Sequence, residues 1–181
     1  MAPSTWKAGA ALIVQQDGSF APGAPATLSV GTVALDGPWT YYFNVGSGAK
    51  LEVRGAVNHT LNNGLVVFGA GDTTIAGNLN LGSGSLQKFD SGTLRLLSAN
   101  TFSGTVDVYG GTLVTASNGL QNVPQIYVHA FGTLNGVNYK TDADLAIDQV
   151  GTATFSAAAS AITGTIWNNG NLTLNPALGG N

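Results

Sequence analysis

The sequence contains no cysteine, so neither disulfides nor thiolate chemistry can operate in it, and export would require no oxidising folding step. Charge is scarce as well. Lys and Arg number 6, Asp and Glu 9, and together they make up 8% of the chain, where an ordinary soluble domain carries about 25%. A net charge of −3 spread this thinly gives no basic stripe for a phosphate backbone and no polybasic tract for anionic lipid, so nucleic acid is not expected as a partner. Apolar runs are short. The opening "MAPSTWKAGAALIV" has no charged region ahead of its apolar stretch, so no signal peptide or membrane span is expected, and the chain is either cytosolic or has lost a leader. With two histidines, His59 and His129, and no strong ligand beside either along the chain, no metal site and no cofactor are expected.

What fills the sequence instead is glycine, 26 residues of it, set among Asn, Ser and Thr, with 44% of the 181 positions hydrophobic. That is enough apolar side chain for a substantial core in one domain of ordinary size. The glycines are ordered. Aligning those that precede a short alternating segment gives Gly31, Gly48, Gly71, Gly92, Gly111, Gly132, Gly151 and Gly170, in steps of 17, 23, 21, 19, 21, 19 and 19 residues.

A period near twenty, with strands too short to stand alone and turn residues between them, marks a solenoid whose coils bury their apolar side against one another. Within each coil the period is two. Leu94 and Leu96, Val106 and Val108, and Leu172 and Leu174 alternate with polar residues and are expected to face inward. Helix is disfavoured by the recurring Gly, Asn, Thr and Ser, "TDADLAID" at 141–148 being the sole weak candidate. An antiparallel sandwich would need hairpin signals at variable spacing. The expected fold is all-β, a parallel β-helix (β-solenoid) of 8–9 coils of 19–21 residues, one domain over residues 1–181. Pro22, Pro25 and Pro38 interrupt the pattern, so residues 1–45 read as irregular N-terminal coils and 117–181 as further coils.

Residues 75–114, "IAGNLNLGSGSLQKFDSGTLRLLSANTFSGTVDVYGGTLV", carry Gly-Ser-Leu followed by Lys88, the strand Gly92-Thr93-Leu94-x-Leu96, Asn100-Thr101-Phe102-Ser103-Gly104, and a closing Gly111-Thr112-Leu113. This pattern resembles the autotransporter-associated β-strand repeat of bacterial autotransporter passenger domains, and 46–116 is where the match is best. The resemblance implies a right-handed parallel β-helix, secreted or at a bacterial cell surface, acting as stalk, adhesin or secretion-assisting rod, with no catalytic residues. One departure is that no membrane β-barrel pattern follows.

Chemistry is thinly represented. Asp142, Asp144 and Asp148 form the densest acidic group but lack the glycine of a calcium loop, so a solvated loop is expected. Some β-helices act on polysaccharides with paired carboxylates, for which Glu52 with Arg54, or Asp107 with a neighbour, are the candidates, yet nine acids without clustering argue against an enzyme. Gly46-Ser-Gly48 and Gly69-Ala-Gly71 lack the third glycine and the helix of a dinucleotide fingerprint. The sequons at Asn58 and Asn171 are frequent by chance in such a composition. Thr152-x-Thr154 suggests a threonine array but is not expected to recur from coil to coil.

Trp39, Tyr41, Tyr42 and Phe43 make the richest aromatic cluster. Exposed, they would form a glycan patch; the competing expectation puts Tyr41 and Phe43 in the core, with Tyr42 outside and Trp39 at a corner after Pro38. The ends are the other candidates. "ALIV" supplies Leu12, Ile13 and Val14 at one end, "TIWNNGNLTLN" supplies Ile166, Trp167, Leu172 and Leu174 at the other, and no charged gatekeeper follows Asp148. The expected function is an extracellular structural solenoid that stacks head to tail as a homo-oligomeric filament. The alternatives are a passenger fragment serving as stalk or adhesin on a host glycan or surface and, more remotely, a polysaccharide-acting enzyme.

Overall fold

The computed structural model describes residues 5–8, 11–14, 27–35, 37–59, 61–116, 119–137, 140–156 and 161–175. Every strand among them pairs in parallel, and none of them is helical. One eight-stranded sheet runs Ala11–Val14, Tyr41–Val45, Leu65–Phe68, Leu86–Lys88, Val106–Val108, Gln125–Val128, Asp144–Ile147, Ile166–Asn168. A second runs Thr27–Val30, Lys50–Val53, Asp72–Ile75, Thr93–Leu96, Gly111–Thr115, Gly132–Val137, Thr152–Ser156, Asn171–Asn175. A third holds four strands, Thr5–Ala8, Thr32–Leu35, Val57–His59 and Leu79–Asn80, and a short fourth pairs Lys140–Thr141 with Ala161–Ile162. Strands that are close in sequence lie in different sheets, and each strand pairs with its equivalent one coil away. This is a β-solenoid.

Alternation along each strand sorts the side chains. Leu94 and Leu96, Val106 and Val108, Leu113, Ile126 and Val128 are all buried, and they belong to one continuous core that also takes in Phe43, Leu65, Phe102 and Leu134. At about 1.5–3 kcal/mol for each large apolar side chain removed from water, this column of interior residues is the principal source of stability. The segment 144–147 follows the same rule. Leu145 and Ile147 are buried and Asp144 and Ala146 face outward, so the weak helical candidate is a strand.

The glycine alignment holds from Gly71 onward and slips before it. Register pairs Gly111 with Gly132, and Thr93 with Thr112, so Gly92 lies under Gly111. Lys50 pairs with Asp72, which sets Ala49, not Gly48, beside Gly71. Gly31 leads the strand Thr32–Leu35 of the third sheet, and its carbonyl accepts the Gly55 N–H at 2.7 Å, so it belongs to a different column. Gly31-Thr-Val and the later Gly-Thr-Leu triplets look alike in sequence but lead strands of different sheets.

Leu174 departs from the inward expectation. It is 61% exposed and Leu172 only half buried, because the strand Asn171–Asn175 pairs with Thr152–Ser156 on one side and is the last of its sheet among the described residues.

Candidate functional site: a corner of stacked rings and carboxylates

The chemistry-bearing side chains gather at the corner between the first and second sheets. Phe89, Tyr109 and His129 follow three successive strands of the first sheet, and parallel register stacks them. The rings of Phe89 and Tyr109 lie 4.4 Å apart at 10°, and those of Tyr109 and His129 4.1 Å apart at 2°. Tyr127 adds a contact to His129 at 5.9 Å. Burial, and secondarily the Asp107 carboxylate, push the Tyr109 phenol up from its ordinary value of 10.0.

His129 sits between two carboxylates, Nε2 at 3.1 Å from Asp107 and Nδ1 at 3.0 Å from Asp148. Both contacts are hydrogen bonds only when both ring nitrogens carry protons. These partners are 22 and 19 residues away, one coil in each direction, which is why inspection of the chain neighbourhood missed them.

Beneath the corner lies Lys88, a buried lysine on an otherwise apolar interior face. Its ammonium donates to the carbonyls of Phe89, Asp90 at 3.1 Å and Gly110 at 3.4 Å, so it ties two coils together at their turns. Burial lowers its pKa from 10.5 to about 8, against the opposing pull of Asp90 and Asp72. The consequence for stability has a definite sign. Between about pH 8 and 10.5 the unfolded chain holds a proton that the folded chain has released, so stability is expected to rise across this window, by on the order of 1–3 kcal/mol. Urea unfolding at pH 7.5 and pH 10 checks it. The Lys88→Met variant should lose the rise, and a wild-type protein no more stable at pH 10 than at pH 7.5 contradicts the assignment.

The other sequence candidates are dispersed. Tyr41 and Phe43 are core residues, while Tyr42 is exposed, edge-on to Phe68 at 6.4 Å, and Trp39 is exposed. His59 is buried against Tyr41 at 5.1 Å; its Nδ1 accepts the Leu61 N–H, leaving Nε2–H to donate to the Trp39 carbonyl. Asp144 accepts the Thr165 N–H at 2.8 Å and Asp148 faces His129, so these two acids point to separate partners. Among the described residues no group of three His, Asp or Glu side chains converges as metal ligands.

Glu52 lies between Ser29 and Thr74 in register, and Asp107 between Gln87 and Tyr127, so neither has a carboxylate beside it in its ladder. Threonine does recur. Thr93, Thr112, Thr133 and Thr152 form one outward column, but the second column reads Arg95, Val114, Asn135 and Thr154, so no two-rank array forms. Of the end candidates, Ile166, Trp167 and Leu174 are exposed. Ala11–Val14, which holds Leu12, Ile13 and Val14, is the first strand of its sheet; the placement of their side chains lies outside the described residues.

The family model described as passenger-associated-transport-repeat matches residues 86–114. That stretch holds Lys88, Asn100, Gly111 and, of the ring stack, Phe89 and Tyr109. The match and the solenoid together fit an autotransporter passenger repeat, that is, a passenger-like structural domain of a kind found outside the cell. No curated protein and no solved structure gives a significant match. No helix among the described residues is long and apolar enough to cross a membrane.

Proposed function

We propose that the protein is an extracellular rod: a structural β-solenoid whose open ends are completed by further copies, so that coils continue from one chain to the next. The observation that carries this reading is the state of the last described coil. Register sets Ile166 on Leu145, Leu172 on Ala153 and Leu174 on Phe155, so these three extend the interior columns of the core. At this coil Ile166 and Leu174 are exposed and Leu172 is half-buried. Trp167 stands exposed on the outer face of the same coil.

Among the described residues its two strands have a partner on one side only, as do Thr5–Ala8, Ala11–Val14 and Thr27–Val30 at the opposite ends of their sheets. An apolar strand edge with free pairing groups is a template for another parallel strand. A contact between different ends of identical copies is heterologous and, where rotation does not close it, produces a filament. The scarcity of charge across the chain leaves little to repel a second copy.

Sedimentation velocity over a concentration series tests the reading. The wild-type chain is expected to gain mass with concentration, and Leu174→Lys combined with Ile166→Lys to remain monomeric with unchanged circular dichroism. The control Tyr42→Lys, on an outer face, should assemble as the wild type does. A wild-type chain that stays monomeric over about two decades of concentration, or edge variants that assemble normally, would sink the proposal. The similarity of residues 86–114 to a passenger repeat does not depend on self-assembly.

A further inference from the structure

The turn into the second sheet carries a left-handed residue in successive coils, at Gly69, Asp90, Gly111, Phe131 and Val150, and the last two of these are bulky. Register aligns Ser91, Gly110, Phe131 and Val150, each directly before one of the strand-leading glycines Gly92, Gly111, Gly132 and Gly151. Phe131 has φ +69° and is 80% exposed; Val150 has φ +58° and is 62% exposed. A left-handed backbone costs a bulky L residue roughly 1–2 kcal/mol, and a bare phenyl ring adds apolar surface in water. In the two preceding coils the left-handed residue is instead Asp90 or Gly111, and Ser91 and Gly110 sit at the place of Phe131 without a positive φ, so a large ring is not a general requirement of this corner.

The ring does form a wall. Gly110, between Ser91 and Phe131, contributes no side chain, so the column has a gap one coil wide. The result is an open cleft of about 510 Å³. Phe131 bounds it on one side, Asp90 and Ser91 on the other, with Gly110 and the stacked rings of Phe89 and Tyr109 completing the lining. Two strand spacings separate the walls, about 10 Å between backbones, which leaves room for an occupant about one ring thick.

The polar groups are fixed in place. One Asp90 carboxylate oxygen accepts the Gly69 N–H at 3.0 Å, and Lys88 holds the carbonyls of Phe89, Asp90 and Gly110 from beneath. The ammonium is buried below the floor, so the charge presented to the cleft is negative. Carboxylates accept hydrogen bonds from hydroxyls and repel acidic ligands.

We propose that this cleft is a subsite for one neutral pyranose ring of a glycan, its C–H face stacked on Phe131 and its hydroxyls bonded by Asp90 and Ser91. An aromatic face beside a few fixed polar groups is the usual make-up of a small-ligand site. A single ring in an open cleft binds weakly, in the millimolar range. Lys88 is a positioning residue here, since it touches the lining and not the sugar. The subsite does not depend on filament formation.

NMR titration of the full chain with neutral gluco-, galacto- and manno-oligosaccharides, with oligogalacturonate as the acidic probe, tests the proposal. At least one neutral series is expected to shift the Phe131 and Tyr109 ring resonances saturably, and oligogalacturonate to bind at least about tenfold more weakly. Phe131→Ala, an exposed substitution, should abolish those shifts while leaving the amide spectrum elsewhere unchanged. Asp90→Asn keeps an acceptor for Gly69 and tolerates positive φ, and it should narrow the gap between neutral and acidic probes. No saturable shift up to about 20 mM of any neutral series, binding that survives Phe131→Ala, or shifts mapping to Trp39 and Tyr42 instead would overturn it.

Discussion

Replacing Gly111 by valine is expected to destabilise the fold by about 4 kcal/mol or more, a large part of the 5–15 kcal/mol that holds a typical domain together. Two costs coincide at this residue. Its φ of +64° lies in the left-handed region, worth roughly 1–2 kcal/mol for an L side chain and more for a β-branched one. A Cβ there would also meet the carbonyl oxygens of Asp90 and Gly92 at 2.3 Å, and both are backbone atoms of the coil below.

Moving the Gly92 oxygen breaks its bond from the Thr112 N–H, and moving the Asp90 oxygen breaks its bond from the Lys88 ammonium. The neighbouring glycine supplies the comparison. At Gly110 a Cβ would find its nearest atoms at 3.3 Å, and φ is not positive, so Gly110→Ala is expected to cost less than about 1 kcal/mol. Urea denaturation of the two variants separates the outcomes; a Gly111→Val protein within 1 kcal/mol of wild type would mean that coil spacing is not set by backbone contact at this column.

Asn100→Leu ranks second, at about 3 kcal/mol, or a fall in Tm of about 6–12 °C for a chain of this size. The third sheet ends at Leu79–Asn80, and beyond it side chains replace strand pairing. Asn100 is buried; its Oδ1 accepts the Leu79 N–H at 2.8 Å and its Nδ2 donates to the Gly119 carbonyl at 2.6 Å. Leucine has similar volume but leaves one buried donor and one buried acceptor unpaired, each worth about 1–3 kcal/mol. Hydrogen exchange adds a local readout, since the Leu79 amide should lose protection first. The neighbouring Asn122 donates to the Asn100 carbonyl at a weak 3.4 Å and is exposed, so Asn122→Ala should shift Tm by no more than about 2 °C.

Both residues belong to the stretch in which the sequence is most readable, and the reason is physical. A solenoid repeats its constraints, so Gly92 and Gly111 recur because each coil needs the same close approach, and Leu94 with Leu96 recur because each coil buries the same face. Period two within strands and period near twenty between them were therefore legible. Register was not, wherever turn length varied. Gly31 and Gly48 also precede short alternating segments yet occupy other places, since spacing along the chain cannot separate one corner from the next.

The candidate site was hidden for a related reason. Asp107, His129 and Asp148 are neighbours only across coils, and so are Phe89, Tyr109 and His129, whose numbers differ by twenty. Writing the coils beneath one another in register brings both sets together; reading along the chain does not. Lys88 looks like an outward charge by composition, and only the alternation that buries Leu86 beside it places its ammonium beneath the turn. The strain at Phe131 and Val150 has no sequence signal, because left-handed backbone is ordinarily announced by Gly or Asn.

The central claim is that the repeat builds a rod that continues across chains. Electron microscopy of the purified protein over a concentration series, with diffraction from aligned specimens, tests it most directly. The account predicts unbranched filaments with a meridional spacing of about 4.8 Å from parallel strands stacked along the axis, and a subunit repeat of about 40 Å from the eight strands of each long sheet. Discrete particles one chain in size at every concentration, or fibres whose strands do not lie across the axis, would contradict it.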